Sequence, residues 1–250
     1  MPHIFKTLKY IEIETCSACT RKCKWCLFGN VPSYYNKTNE FLETEYIIKI
    51  FEDLKEINFS GMLSLFSINE PLLDDRIVSG ELIRIARKIL NDSVSLIITT
   101  NGDLLTKNLC DSLFAAGLNK LVISCYDDKT LALAKEYYIR NSKIEVQDKR
   151  YFNEGHWEYN RAGSVVCSDN RRYKSCFIPY IQSVIGWDGN VRVCCYDAQA
   201  TLKLGNIKEK SYLSILDSSY FNNLRKDILK QRQLIQPCNI CNVDGLLRKR

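Results

Sequence analysis

The chain has 250 residues, 46% of them hydrophobic, with 35 Lys and Arg against 29 Asp and Glu for a net charge of +6. That apolar content supports one sizeable core, or one domain with a small appendage, and excludes disorder as the default state. Basic residues are mixed with acids instead of running in blocks, which argues against a nucleic-acid footprint; the one dense run, Arg248-Lys249-Arg250, reads as a solvated tail.

Residues 1–15 carry charges through their apolar stretch and end in no small-residue cleavage site, so no signal peptide is expected. No uninterrupted apolar run reaches membrane-spanning length. The expected location is the cytoplasm, where the twelve cysteines are not a disulfide framework and metal is the leading explanation.

Along the chain, strand-like runs at 10–15 (YIEIET), 62–67 (MLSLFS), 95–100 (SLIITT), 120–125 (KLVISC) and 143–146 alternate with helical patterns. The first helix, over 44–57, puts Tyr46, Ile47, Ile50, Phe51, Leu54 and Ile57 on one face with Thr44 as N-cap. The second uses Ile77, Leu82, Ile85, Ala86 and Ile89, and the third runs from Thr106 to a stop at Gly117. Strand, helix, strand in this order implies right-handed βαβ units and a parallel sheet, a barrel or part of one. Chemistry in such a sheet collects at the strand C-termini, where this sequence places its cysteine loop, Asn69-Glu70-Pro71, Thr100-Asn101-Gly102 and 124–127. After Arg150 the pattern changes to a hairpin over 181–195 around the turn Asp188-Gly189-Asn190, a helix over about 211–229, and Cys238-x-x-Cys241.

Cys19-x3-Cys23-x2-Cys26 offers three thiolates to one cubane and leaves its fourth iron open to a small molecule. The alternatives are a structural zinc site, usually four ligands in close pairs, or a redox disulfide. Cys16 precedes this set and reads as a packing thiol. Cys176, Cys194, Cys238 and Cys241 form a second set, able to saturate one cluster; a zinc ribbon would favour two close pairs, which Cys176 and Cys194 are not. Cys195 competes with Cys194, since strand alternation turns only one of them inward.

The pattern C-x3-C-x-aromatic-C, with Trp25 in the aromatic position, resembles the signature of the radical S-adenosylmethionine superfamily. The C-terminal segment resembles its auxiliary-cluster region, called twitch in the short form and SPASM in the longer. The resemblance implies a partial (β/α)6 TIM-like barrel over residues 1–165, and an auxiliary domain of β-hairpin plus helix over 166–250. It implies two [4Fe-4S] clusters, the auxiliary one single because no cysteine follows Cys241, and S-adenosylmethionine as cofactor. Asn69 and Glu70 stand where many members carry a glycine-rich strand end that meets the cofactor's amino group, although the glycines are absent here. Ser124 and Asp127 correspond to ribose contacts, and Asn101 lies on the same rim. The alternatives for these residues are structural: Asn101-Gly102 makes a good turn and Asp127-Asp128 a good helix cap.

The superfamily's chemistry is reductive cleavage of the cofactor to a 5'-deoxyadenosyl radical, which takes a hydrogen atom from substrate. A saturated auxiliary cluster is then an electron acceptor for a net oxidation. Length and cysteine spacing resemble most the aminocyclitol dehydrogenases of antibiotic biosynthesis, which oxidise a ring alcohol of a small hydroxylated substrate. Flavodoxin or ferredoxin is the expected electron donor. Arg161, between the two halves, is the candidate substrate contact, as a hydrogen-bond donor to a hydroxyl or alkoxide or else as a structural arginine; His156 and Tyr159 are its neighbours. A radical epimerase is the alternative, with Cys125, Cys167 or Cys195 as hydrogen donor. A peptide maturase is another, although the short stretch before Cys16 leaves no room for a leader-binding domain. A zinc-stapled RNA- or protein-binding module lies outside the class and predicts colourless protein.

Overall fold

Eight strands, β1 (Tyr10–Ile13), β2 (Met62–Ser64), β3 (Ser95–Thr100), β4 (Lys120–Cys125), β5 (Ile144–Asp148), β6 (Gln182–Ile185), β7 (Asn190–Arg192) and β8 (Lys203–Asn206), make one sheet in a computed structural model of the chain. The structure describes residues 3–31, 39–169 and 171–245, so the basic run at 248–250 lies outside it. The order is β5-β4-β3-β2-β1-β6-β7-β8. The first six are parallel, and β7 and β8 add antiparallel to the β6 edge. This is the expected partial barrel with a hairpin extension.

One expectation changes. The resemblance assigns the hairpin to the auxiliary domain over 166–250, yet its first strand pairs parallel with β1 over Tyr10↔Gln182 to Ile13↔Ile185 and is the barrel's sixth strand. Its apolar run, Ser183-Val184-Ile185, is fully buried, as a strand covered on both faces requires. The sheet therefore crosses residue 165 without a break.

Helices α1 (Thr44–Glu56), α2 (Glu81–Ile89), α3 (Lys107–Ala115) and α4 (Asp128–Arg140) follow β1 to β4 in turn. Ile47, Ile50, Phe51 and Leu54 of α1 and Leu82, Ile83 and Ala86 of α2 pack into one core with Ile11, Ile13, Leu63, Leu96, Ile98, Leu121 and Ile123 of the strands. Thr44 is the first helical residue and not the cap: Glu43 holds that position, and the Thr44 hydroxyl accepts from Arg76 at 2.9 Å. The second helical pattern is broken, because Gly80 takes φ +75° between a short turn at Asp75–Val78 and α2. The last pattern also splits, into Tyr212–Leu216 and α5 (Ser219–Gln231), each with a serine cap.

Among the described residues no long helix joins β5 to β6. Because β5 is one edge of the sheet and β6 lies beyond β1, residues 149–181 must cross the barrel from one side to the other. Among the described residues no helix is long and apolar enough to cross a membrane.

Candidate functional site

The strand tips put the three cysteines of the first loop in one cavity. Cys19, Cys23 and Cys26, each half-buried, line it with Trp25, Ser67, Asn69, Glu70, Asn101, Ser124, Tyr126 and Arg161. Gly29 lets the loop close on itself, since a Cβ there would stand 2.3 Å from the Cys23 carbonyl oxygen. Burial pushes the Cys19 thiol up to about 12 and Cys23 up to about 11, and raises Cys26 as well; the thiols also face one another. Three mutually facing thiols in a dry pocket stay protonated unless a cation joins them, which is what cluster iron provides.

Glu70 lies under this cavity with its carboxylate fully engaged. Oε1 accepts from Leu72 N at 3.1 Å and Thr100 Oγ1 at 2.7 Å, and Oε2 accepts from Asn101 N at 2.8 Å. Its own N–H donates to Ala18 O at 2.8 Å, so Glu70 ties the β2 and β3 tips to the cysteine loop. Asn69 donates Nδ2 to Cys16 Sγ at 3.4 Å, which gives the buried Cys16 a packing role behind the cavity. Asn101 donates to Thr20 Oγ1 at 2.9 Å, and Ser124 Oγ accepts from Lys149 Nζ at 3.2 Å. Asp127 stands apart from the others. It is absent from the cavity lining: Oδ1 caps α4 through Thr130 N at 2.7 Å, and Oδ2 pairs with Arg21 at 2.6 Å. The helix-cap reading of Asp127 is the one its geometry displays.

A second cavity adjoins the first. Trp25, Tyr126 and Arg161 line both, and Lys149, Tyr151, Phe152, Trp157, Glu158, Tyr159, Cys195 and Tyr196 complete the second. Trp25 packs against Tyr126, Phe152 and Trp157 with ring centroids 5.2, 5.4 and 6.1 Å apart, forming an aromatic wall. Arg161 and Ala162 take φ +48° and +50°, a left-handed pair that costs roughly 1–3 kcal/mol per residue and persists where the surroundings over-determine it. Those surroundings are the C-terminal cysteine segment. Asn160 donates Nδ2 to Ile240 O at 2.7 Å, and a Cβ on Gly163 would meet Ile240 Cδ1 at 2.3 Å. His156 is exposed away from this lining, its imidazole 3.9 Å from Glu154.

The second cysteine set gathers around its own cavity, lined by Cys176, Cys194, Cys238, Cys241 and Arg232. Burial raises the Cys194 thiol, and Cys176, Cys238 and Cys241 face it. Cys195, one residue on, turns to the aromatic cavity, toward Glu12 and Arg161. The two adjacent thiols lie beyond the end of β7, in irregular chain and a turn, and enter different cavities, so the strand alternation expected from the sequence is not what parts them. Gly245 bridges to Cys176, and a Cβ there would fall 2.1 Å from Cys176 Sγ. Among the described residues no three His, Cys, Asp or Glu groups converge on a single-ion site.

Sequence reasoning missed three contributors. Glu12 lies within the barrel, accepting from Ser67 Oγ at 2.6 Å and Gln182 Nε2 at 2.7 Å, and faces Arg161. Arg21 bridges Asp103 and Asp127 beside the first cavity. Arg232 is fully buried against the second cysteine set. The first had a signal: Glu12 and Glu14 share one face of a strand whose other face, Ile11 and Ile13, is core.

Comparison with known proteins agrees with this geometry. Residues 13–128 match the Radical SAM superfamily model, and residues 176–242 match SPASM, described as an iron-sulfur cluster-binding domain. The S-adenosyl-L-methionine-dependent 2-deoxy-scyllo-inosamine dehydrogenase of Niallia circulans is 26% identical over 249 residues, 95% of this chain and 94% of that one. GTP 3',8-cyclase of Chlorobaculum tepidum is 34% identical over 121 residues, 48% of this chain and 33% of that one. In fold, the crystal structure of BtrN with AdoMet and 2-DOIA superposes with a TM-score of 0.82 at 23% identity, covering 97% of this chain and 96% of that one. Native anSMEcpe with bound AdoMet gives 0.62 at 15%, covering 93% and 88%. With its cysteine loop, partial barrel and second cysteine set all in place, the chain belongs to the radical S-adenosylmethionine superfamily and carries the iron–sulfur SPASM region after its barrel.

Proposed function

We propose that the chain oxidises a ring alcohol of a small hydroxylated substrate, of the aminocyclitol class named for its Niallia circulans relative. The carrying observation is the aromatic cavity itself, which shares Trp25, Tyr126 and Arg161 with the cavity of Cys19, Cys23 and Cys26 and borders the cavity of the second cysteine set at Tyr196, which lines both. In this reading residues 1–165 hold the first cluster and the cofactor, and 166–250 the auxiliary cluster. The ligands are Cys19, Cys23 and Cys26 for the first, and Cys176, Cys194, Cys238 and Cys241 for the second. When bound, the first cluster and S-adenosylmethionine supply a 5'-deoxyadenosyl radical, and the auxiliary cluster supplies an electron sink.

The residues of the chain position the reaction. Asn69, Asn101 and Ser124 hold the cofactor on the strand tips, with Glu70 fixing the rim beneath it and Asp127 acting through Arg21. The rings of Trp25, Tyr126 and Phe152 take the C–H faces of a ring whose hydroxyls are equatorial. Arg161 donates to the hydroxyl whose carbon loses a hydrogen atom. That carbon becomes a ketone when the hydroxyl proton and one electron also leave. Glu12, whose carboxyl burial raises to about 7, faces Arg161 and takes the proton.

Cys195 favours a second reading, the epimerase. Of the three candidate thiols only Cys195 lines the aromatic cavity; Cys125 is buried with its thiol on Ile123 O, and Cys167 contacts Glu158 O and Asp169 O. A thiol there could return a hydrogen atom to the substrate radical. The twelve unpaired cysteines support a reducing cytoplasmic setting, with flavodoxin or ferredoxin as electron donor.

The test is anaerobic reconstitution followed by incubation with 2-deoxy-scyllo-inosamine, S-adenosylmethionine and reductant. One ketone per 5'-deoxyadenosine, retained in Cys195→Ala, supports oxidation. Solvent deuterium in a recovered alcohol, lost in Cys195→Ala, overturns it in favour of epimerisation.

A further inference from the structure

The largest buried charges of the chain are Arg192 and Arg232, both almost completely removed from solvent. Arg192 has a carboxylate partner in Glu14 at 2.7 Å. Arg232 is satisfied differently. Its Nε donates to Cys238 O at 3.1 Å, Nη2 to Cys241 O at 3.1 Å and Nη1 to Val243 O at 2.7 Å, while its main-chain N–H donates to Lys174 O at 3.1 Å. Among the described residues no carboxylate forms an ion pair with it. Carbonyl dipoles satisfy its N–H groups and leave its charge uncancelled, and an uncancelled charge in a dry site is strongly unfavourable.

The compensation lies across the cavity that Arg232 shares with Cys176, Cys194, Cys238 and Cys241. Four thiolates around a cubane make a net anion, whose charge grows when an electron arrives. A fixed cation beside it favours the reduced form, because reduction potential responds to nearby charge and hydrogen bonding. Asp197 faces the same cavity with the opposite sign, its carboxylate held by Thr201 N at 2.9 Å and Leu202 N at 2.8 Å. Asp244 also bears on Cys176.

We propose that Arg232 is a positioning residue of the auxiliary cluster: it clamps the C-x2-C loop by three carbonyls and sets a buried positive charge against the cluster that raises its reduction potential. The inference rests on the cysteine assignment above, which the iron content of the unsubstituted chain tests separately. It does not depend on the substrate, so failure of the dehydrogenase reading leaves it standing.

The experiment uses the full chain carrying Cys19→Ala, Cys23→Ala and Cys26→Ala, so that only the auxiliary cluster is loaded, and follows its reduction by electron paramagnetic resonance during a redox titration. Arg232→Gln removes the charge and is expected to lower the potential by at least 59 mV, a tenfold change in a one-electron equilibrium. Arg232→Lys keeps the charge without the three-way fork, and is expected to stay closer to the parent potential. Asp197→Asn is expected to move it the other way. An unchanged potential in Arg232→Gln with iron retained overturns the proposal. If Arg232→Gln loses its iron, the Arg232→Lys and Asp197→Asn potentials decide: a parent-like value in the first with a rise in the second supports the charge. Loss of iron in both arginine variants reduces Arg232 to a clamp and overturns the electrostatic role.

Discussion

Asn160 and Asn242 hold each other by a reciprocal pair of hydrogen bonds. The Asn160 N–H donates to Asn242 Oδ1 at 2.9 Å, and the Asn242 N–H donates to Asn160 Oδ1 at 3.3 Å. The pair joins the residue before Arg161 to the residue after Cys241. A substrate contact on a crossing segment is thereby referenced to the auxiliary cysteines, which explains how a left-handed turn at Arg161 and Ala162 is held.

Asn160→Ala keeps the main-chain N–H bond to Asn242 Oδ1 but removes the side-chain half of the link, leaving Ile240 O and Asn242 N without their partner. Each lost buried partner costs about 1–3 kcal/mol, part of which reaches Arg161 as misplacement. The expected result is a fall in kcat/KM of about tenfold or more, since about 1.4 kcal/mol is tenfold. Iron content and substrate-free deoxyadenosine formation should be unchanged. Full turnover in the variant would show that Arg161 needs no such anchor.

Proton removal by Glu12 predicts a pH profile. Burial is the main cause of its rise from 4.5 to about 7, ahead of the opposing bonds from Ser67 and the field of Arg161. The base is the ionised form, so turnover should climb as pH rises through 7 and level off above it. Glu12→Gln should lower the plateau and flatten the climb. Stability moves in the opposite direction. Glu12 and Glu70 both hold protons in the folded chain between 4.5 and about 7 that the unfolded chain has released. Their contribution is fully present below 4.5 and is lost as pH rises through 7. Urea unfolding at pH 5.5 and 8, compared with Glu12→Gln, measures it.

The barrel was legible because its apolar periods and turn residues act locally: Thr106 caps α3 through Leu109 N, and Gly117 ends it at φ +110°. The first cysteine set stood out by its spacing, whereas the second was read with the help of the resemblance to the auxiliary-cluster region, and spacing left Cys194 and Cys195 as equal candidates. The parallel pairing of β1 with β6 was not, because partners 172 positions apart leave no local trace, and a buried Ser183-Val184-Ile185 reads equally as a hairpin arm. Asp127 exposes a different limit. An aspartate before a helix reads as cap or as ligand until Arg21 is seen 2.6 Å away, and that contact joins residues 106 positions apart.

Arg192 and Glu14 stitch the hairpin to the barrel across β6. Both side chains have no exposure, and Glu14 Oε1 also accepts from Ile68 N at 3.2 Å. Arg192→Met fills the space but strands the carboxylate in the interior. Breaking a buried pair in this way costs about 3–5 kcal/mol, a large part of a domain's stability. The expected readout is a lower urea midpoint for anaerobically prepared protein, with Arg192→Met/Glu14→Leu recovering part of the loss. A single variant as stable as the parent would mean that the pair is hydrated in solution.

Gly245 makes the sharpest test of the auxiliary site because it touches no other function. Its carbonyl accepts from Phe177 N at 2.7 Å, which lays the chain against Cys176, and any Cβ there would stand 2.1 Å from Cys176 Sγ. The clash is with the sulfur that the cluster needs, so Gly245→Ala must either push Cys176 out of the cavity or unpair the bridge. With about four irons per cluster, the parent should hold about eight and Gly245→Ala about four. The first cysteine loop is untouched by the substitution, so deoxyadenosine should still form while ketone does not. The complementary variant, Cys19→Ala with Cys23→Ala and Cys26→Ala, should also keep about four irons and form no deoxyadenosine at all. If Gly245→Ala instead kept about eight irons and full turnover, Cys176 would not be a ligand, and the second cysteine set would need a different fourth member.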